Sequence, residues 1–263
     1  MTETGSGELR TEQYGDETNL ATRGAFNERF STREDTPQEW LRERIRRDLP
    51  DDADLVDVGC GHGRLWTGDT PTGWTTLLTD VSPGMVVAAR DAVAARDCRF
   101  GVADAARLPV RTASVDAVVA SMVLYHVDER RAALREFRRV LRPGGRLYAT
   151  TVPEDRKATL FELMDATAEG SVEPLTGGFT AESGAAQLRR AFETVERDVY
   201  DCDLSVTDAG ALVEYVRTLP DAPALAGFDD ADLPALRAAV ERRLSDGPLR
   251  MNSDIAVFVA RRA

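Results

Sequence analysis

Asp54-Leu-Val-Asp-Val-Gly-Cys-Gly-His-Gly63 decides the fold. A short apolar run, Leu55 to Val58, passes straight into three glycines at alternate positions, Gly59, Gly61 and Gly63, with Asp57 two residues before the first. A strand that must stop abruptly and turn tightly needs residues that tolerate positive φ. Glycine does so, and without a Cβ it also lets a ligand approach the backbone. Strand–glycine–helix turns of this kind hold dinucleotides at the carboxyl ends of parallel strands. The spacing here is G-x-G-x-G and not the G-x-G-x-x-G of the dinucleotide fingerprint, so the turn alone does not name its ligand.

Downstream, apolar strand runs alternate with helical periods. Thr75 to Thr79 reads as a second strand ending at Asp80, and Ser82-Pro83 as the start of a helix with Met85, Val86, Ala89 and Val93 on one face. Cys98 to Ala103 is a third strand ending at Asp104, and Val115 to Ala120 a fourth. Asp128 is expected to cap a helix carrying Leu134, Phe137, Val140 and Leu141. Arg142-Pro-Gly-Gly145 breaks it before a fifth strand, Arg146 to Thr151. Such alternation argues for a parallel sheet covered on both faces.

The rhythm fails from Val152 to about Ala191, where Gly170, Gly177, Gly178 and Gly184 interrupt. Phe192 to Val199 reads as a sixth strand, Thr207 to Thr218 and Asp232 to Leu244 as helices, and Ile255 to Ala260 as a last strand. Before the glycine turn, Thr36-Pro37 signals a helix start, with Trp40, Leu41 and Ile45 on its apolar face. Residues 1–36 are polar, hold at most one or two short helices, and have one apolar foothold, Phe26-Asn-Glu-Arg-Phe30. We find no internal repeats and no low-complexity tract.

The 263 residues are 43% hydrophobic and 30% charged, which suits one large globular domain, or one domain with a modest insertion. No apolar run reaches the roughly 18 residues of a membrane span, and the polar N-terminus reads as no secretory signal. Cys60, Cys98 and Cys202 are too scattered for a metal site or a disulfide framework, so a reducing cytoplasm is expected. The net charge is −12, and Lys157 is the single lysine. Acid excess with arginine in place of lysine fits adaptation to high salt, where screening is short-ranged. A high-GC codon bias would give the same exchange; we favour salt adaptation.

Four features join the glycine turn. Asp80 ends the second strand, where a carboxylate can accept two ribose hydroxyls. Asp104, within Val102-Ala-Asp-Ala-Ala-Arg-Leu-Pro109, can accept from an exocyclic amine. Ser121-Met-Val-Leu-Tyr-His126 closes the fourth strand, and Leu141-Arg-Pro-Gly-Gly145 precedes the fifth. In this order and spacing the chain resembles the class I S-adenosylmethionine-dependent methyltransferases, closest to their broad small-molecule branch (type 11/25-like). The likeness is close over residues 38–151 and looser beyond.

That resemblance implies an α/β, Rossmann-like, doubly wound sheet, mostly parallel and seven-stranded, with an antiparallel last strand. It divides the chain into residues 1–36, a polar N-terminal lid or tail, and 37–263, a single methyltransferase domain. Within the latter, 37–151 would form the cofactor core, 152–191 an insertion lining the acceptor pocket, and 192–263 the C-terminal strands and helices. It implies that Asp57 and the turn Gly59, Cys60, Gly61 and Gly63 hold the methionine part of S-adenosylmethionine. Asp80 would hold the ribose, with Val81 and Met85 beside the adenosine. Asp104 and Ala105 would hold the adenine, and Ser121 and Met122 would line the cofactor. No metal is implied. One departure stands out: Thr70-Pro-Thr-Gly73 crowds the connection after Gly63, so the first helix must be short, and the orientation of Arg64 and Trp66 is open.

The expected reaction is methyl transfer to a small-molecule acceptor by in-line displacement, with no nucleic-acid or membrane partner. His126 is the candidate general base and Tyr125 a candidate acceptor-orienting group. The competing readings are packing for both, with His126 under the cofactor or bonded to a loop carbonyl. Three other functions are weighed, one of them a nicotinamide oxidoreductase, disfavoured by the glycine spacing and by Asp104. An RNA- or protein-directed enzyme would need a basic face, and the Arg130-Arg131, Arg138-Arg139 and Arg242-Arg243 doublets read as paired surface charge. A binding protein would keep the pocket without catalysis.

Overall fold

The computed structural model describes residues 17–93, 98–173, 178–219, 225 and 227–263. The expectations for residues 1–16 and for Gly177 lie outside the described residues. The chain opens with α1 (Glu17–Phe30), α2 (Pro37–Asp48), β1 (Asp54–Val58), β2 (Thr75–Asp80), α3 (Pro83–Ala92) and β3 (Cys98–Val102). It continues through β4 (Val115–Ser121), α4 (Arg130–Val140), β5 (Leu141–Thr151), α5 (Ala158–Asp165), α6 (Gly184–Leu188) and β6 (Thr194–Tyr200). It ends with β7 (Asp203–Val206), α7 (Ala209–Arg217), α8 (Leu233–Leu244), β8 (Leu249–Asn252) and β9 (Ile255–Arg261).

These elements form two compact units. The larger comprises Asp35–Pro153, Gly177–Tyr200 and Ile255–Ala263. Its seven strands lie in the order β3-β2-β1-β4-β5-β9-β6. Neighbours from β3 to β5 are parallel, and β9 is antiparallel to both β5 and β6. This is the Rossmann-like sheet with an antiparallel last strand that the sequence implies. Strand order reverses between β1 and β4, the switch point where such sheets bind ligands. β1 is buried from Leu55 to Val58, as a strand covered on both faces must be. Val56, Val118, Leu134, Phe137, Leu147 and Phe258 anchor the core.

Local chemistry explains the boundaries. Thr36 and Glu39 form a reciprocal capping box at the start of α2: Glu39 Oε2 accepts from Thr36 N at 2.7 Å, and Thr36 Oγ1 accepts from Glu39 N at 3.2 Å. Ser82 caps α3, with Pro83 at its first position. Two sequence expectations need correction. Asp128 does not cap α4; Glu129 holds that position without a side-chain bond. Arg142-Pro-Gly-Gly145 does not precede β5 but lies within it, as an excursion where the register on β4 jumps from Val115↔Leu141 to Ala117↔Arg146. Gly144 takes φ +81 there.

The smaller unit comprises Met1–Glu34, Glu154–Thr176 and Asp201–Asp254, so the expected 152–191 insertion is divided between the units. β7 pairs antiparallel with β8 in a two-stranded sheet. Around it, Phe26, Phe30, Leu160, Leu204, Leu212, Leu236 and Val240 build a second core. Phe26 and Phe30 sit one helical turn apart on α1, and Phe26 meets the Tyr215 ring at 4.6 Å. No described helix is long and apolar enough to cross a membrane.

Candidate active site

The carboxyl ends of β1, β2, β3 and β4 meet the loops that carry the predicted residues. At the end of β1 the chain turns through Gly59 (φ +71), Gly61 (φ +52) and Gly63 (φ +76). Gly59 N and Cys60 N donate to the carbonyl of Thr79 at 2.8 and 2.9 Å, which ties the turn to β2. A Cβ on Gly59 would stand 2.3 Å from Val123 Cγ2, and one on Gly63 2.8 Å from Val93 Cγ2. At Gly61, by contrast, no atom lies within 4 Å of such a Cβ. Two glycines are thus demanded by packing, while the third bares its backbone to open space. In place of the first helix there is one 3-10 turn, Arg64–Trp66, as the short connection requires.

That turn sets the orientation of Trp66. The indole is 1% exposed, and its Nε1 donates to Asp57 Oδ2 at 2.7 Å. Asp57 is itself 2% exposed, and its Oδ1 is buried without a hydrogen-bond partner. A buried carboxylate oxygen with no donor is costly and calls for a ligand or a water. Burial pushes the Asp57 carboxyl up to about 7; the Trp66 N–H opposes the rise and the Asp80 charge adds to it.

Asp80 latches the turn: its Oδ2 accepts from Gly61 N at 3.0 Å and its Oδ1 from Ser82 N at 2.9 Å. Each oxygen keeps a second lone pair. Val81 beside it is 60% exposed, whereas Met85 packs inward at 3%. Asp104 is exposed beyond β3, and its Oδ1 accepts from Ala106 N at 2.7 Å. Ala105 is half-buried next to it.

At the end of β4, Met122 adopts φ +55, a left-handed conformation that costs a side-chain-bearing residue roughly 1–2 kcal/mol. Thr150 holds it there: Met122 N donates to Thr150 Oγ1 at 2.9 Å, and Ser121 Oγ lies 3.0 Å from the same hydroxyl. A second 3-10 turn, Leu124–His126, follows. It sets the Tyr125 and His126 rings edge to face, 4.3 Å apart, both half-buried. Beside Ser121, Met122 and Thr150 lies a small cleft walled by Trp40, Leu41, Tyr200 and Ile255.

Burial, with Asp57 and Asp80 adding to it, pushes the Cys60 thiol well up, so it is no nucleophile near neutral pH. Sequence reasoning missed Trp66 as the Asp57 donor, and Thr79 and Thr150 as the polar braces. Thr79 and Thr150, buried threonines at strand ends, carried the one available signal. Among the described residues, no group of three or more His, Cys, Asp or Glu could hold a metal.

The sheet order and the family match over residues 56–149 both point to a class I S-adenosylmethionine-dependent methyltransferase core. Residues 56–149 match the family described as Methyltransferase domain. The malonyl-[acyl-carrier protein] O-methyltransferase of Hahella chejuensis is 39% identical over 128 residues, covering 43% of this chain and 40% of that protein. The ubiquinone/menaquinone biosynthesis C-methyltransferase UbiE of Caulobacter vibrioides is 31% identical over 157 residues, covering 60% and 53%. The chain thus spans about half the length, or less, of these curated relatives. In fold it resembles the possible histamine N-methyltransferase of Thermotoga maritima, with a TM-score of 0.55 at 16% identity over 96% of this chain and 100% of that one. The cofactor of this class is S-adenosylmethionine. The site fits it, because a net-positive sulfonium amino acid suits an orphaned buried carboxylate, two further aspartates and an open glycine backbone.

Proposed function

We propose that the protein transfers a methyl group from S-adenosylmethionine to a small-molecule acceptor. The observation that carries this reading is the unpartnered Oδ1 of buried Asp57 at the glycine turn, with Asp80 and Asp104 at the next two strand ends. A pyrophosphate would instead call for helix N-termini and basic groups.

Asp57 and the turn Gly59, Cys60, Gly61 and Gly63 hold the amino-acid end. Asp80 takes the ribose hydroxyls on its free lone pairs, and Asp104 with Ala105 takes the adenine amine. Val81 and Met85 flank the adenosine, and Ser121 and Met122 line the sulfonium side. The bound cofactor supplies an already activated methyl group. What is left to the chain is to align the acceptor with that methyl and to exclude water. His126 accepts the acceptor's proton when this is a hydroxyl or an amine, and Tyr125 orients it.

Acceptor contacts come from Tyr125 and His126 and from the cleft beside Met122, walled by Trp40 and Leu41 within the 37–151 core and by Tyr200 and Ile255 beyond it. The apolar cleft beside Met122 supports an acceptor with apolar surface. The relatives' names, malonyl-[acyl-carrier protein] and ubiquinone/menaquinone biosynthesis, also support a metabolite over a nucleic acid. So does the pairing of one arginine doublet, with Arg138 bonded to Glu193 and Arg139 to Glu136. Three free cysteines support a cytoplasmic location, and the acid excess supports a salt-rich one.

The test is incubation with methyl-labelled S-adenosylmethionine and a cell extract separated into metabolite, RNA and protein fractions. Label should enter the metabolite fraction. Label confined to RNA or protein overturns the acceptor class, and no label in any fraction overturns methyl transfer.

A further inference from the structure

Two aspartates flank the glycine turn, and their surroundings differ. Asp80, half-buried at the end of β2, has a backbone donor on each oxygen, Gly61 N at 3.0 Å and Ser82 N at 2.9 Å. Asp57, 2% exposed on β1, has one donor for the whole carboxyl group, Trp66 Nε1 at 2.7 Å from Oδ2. Its Oδ1 is buried and has none. A buried carboxylate ion needs donors on both oxygens and a compensating charge. Without them the group neutralises by holding a proton.

The neighbours of Asp57 favour the neutral acid. In the sheet register, β2 sets Leu78 beside it and β4 sets Val119, both apolar. The end of β2 brings the Asp80 carboxylate, a like charge that disfavours a second one. The turn brings the Cys60 thiol, kept neutral chiefly by burial. The 3-10 turn brings the Trp66 N–H, which alone favours the ion through a hydrogen bond. His62 and Arg64 are half-buried on the same stretch, and among the described residues no cation forms an ion pair with Asp57.

We propose that Asp57 is a proton switch for cofactor binding: without ligand it carries a proton, and it releases that proton to solvent as the cationic amino-acid end of S-adenosylmethionine settles beside it. This switch presupposes the proposed cofactor site and regulates it. The O–H bond of the acid breaks, the proton passes to the buffer, and the carboxylate left behind meets the ligand's ammonium. One positive charge thus replaces another, and the orphaned oxygen gains a charged donor. Burial pushes the carboxyl up to about 7, which places the switch near neutrality. Above that value the carboxylate is already formed and affinity is level. Below it, binding must first expel the proton, so affinity falls as pH falls.

The test is calorimetric titration of the full chain with S-adenosylmethionine at about pH 6.5, in phosphate and in imidazole, whose ionisation heats differ. The difference in heat should report release of roughly 0.5–1 proton per ligand bound. The dissociation constant should rise about tenfold from pH 7.5 to pH 5.5, a range below the ligand's own α-amino titration at about 7.7–8.0. Asp57→Asn, which has no proton to release, should abolish both effects. Trp66→Phe removes the one donor to the ion, so it should move the affinity profile to higher pH; it serves if the first variant does not fold. Equal heats in the two buffers with an affinity indifferent to pH overturn the switch and leave the cofactor site standing. So does proton release that persists in folded Asp57→Asn, or a profile unmoved in folded Trp66→Phe. No binding at any pH overturns the site and the switch together.

Discussion

At the scale of single residues, Asp57 carries the sharpest consequence. Below about pH 4 its carboxyl is protonated in both folded and unfolded chains. Between there and its folded value of about 7, the folded chain keeps a proton that the unfolded chain has lost, so stability falls as pH rises through that window. Asp57→Asn removes this dependence. Melting curves without cofactor should show the variant gaining on the parent from pH 5 to pH 8; a gap that stays constant or narrows contradicts the assignment. Gly61 makes a second case. Gly61→Ala meets no protein atom within 4 Å and should cost only the roughly 1–2 kcal/mol of a left-handed alanine. It should nonetheless weaken S-adenosylmethionine binding at least tenfold, because the new methyl enters the ligand's space. Calorimetry giving the parent affinity would mean that no ligand approaches that backbone. Asp57, Asp80 and the glycines were legible because a buried acid and alternate glycines at a strand end are anomalies in the sequence itself. Trp66 and Thr150 were not, because each acts on a partner brought to it by the fold.

Elements show a different balance. The Arg142-Pro-Gly-Gly145 excursion reads in sequence as a helix stop. Folded, it turns Arg142 into a clamp: Nη2 meets Asp54 Oδ2 at 2.8 Å at the start of β1, and Nη1 meets Asp116 on β4. Asp116 Oδ2 also accepts from Asp54 N at 2.9 Å. With Arg142 and Asp54 each about 40% exposed, screening limits either pair to about 0.2–1 kcal/mol. Arg142→Ala should therefore cost about 1 kcal/mol in 0.1 M salt, and less in about 1 M salt. Chemical denaturation at the two concentrations checks this; an unchanged midpoint, or a loss indifferent to salt, refutes the clamp. The strands of the larger sheet and helices α2, α3 and α8 were readable from period and from the proline in each first turn, with side-chain caps on α2 and α3. β7 and β8 were not, because four residues are too few to display alternation, and each is stabilised by the other from 43 or more residues away.

For the whole molecule, the contrast lies between the two units. The larger follows strand–turn–helix order along the sequence, so its topology could be read almost directly. The smaller is assembled from three separated segments, and no local rule joins α1 to α5 and α7. The sequence thus made the larger unit readable and showed α7 and α8 of the smaller, but read α1 as part of a polar tail and α5 as part of an irregular insertion.

The central claim is that aspartates at successive strand ends and a bare glycine turn form a site for a cationic adenosyl ligand. Calorimetric titration of the full chain with S-adenosylmethionine, its demethylated product and NAD measures it most directly. The account predicts saturable 1:1 binding of the first two and none of NAD. Binding of NAD, with indifference to both sulfur ligands, would contradict it.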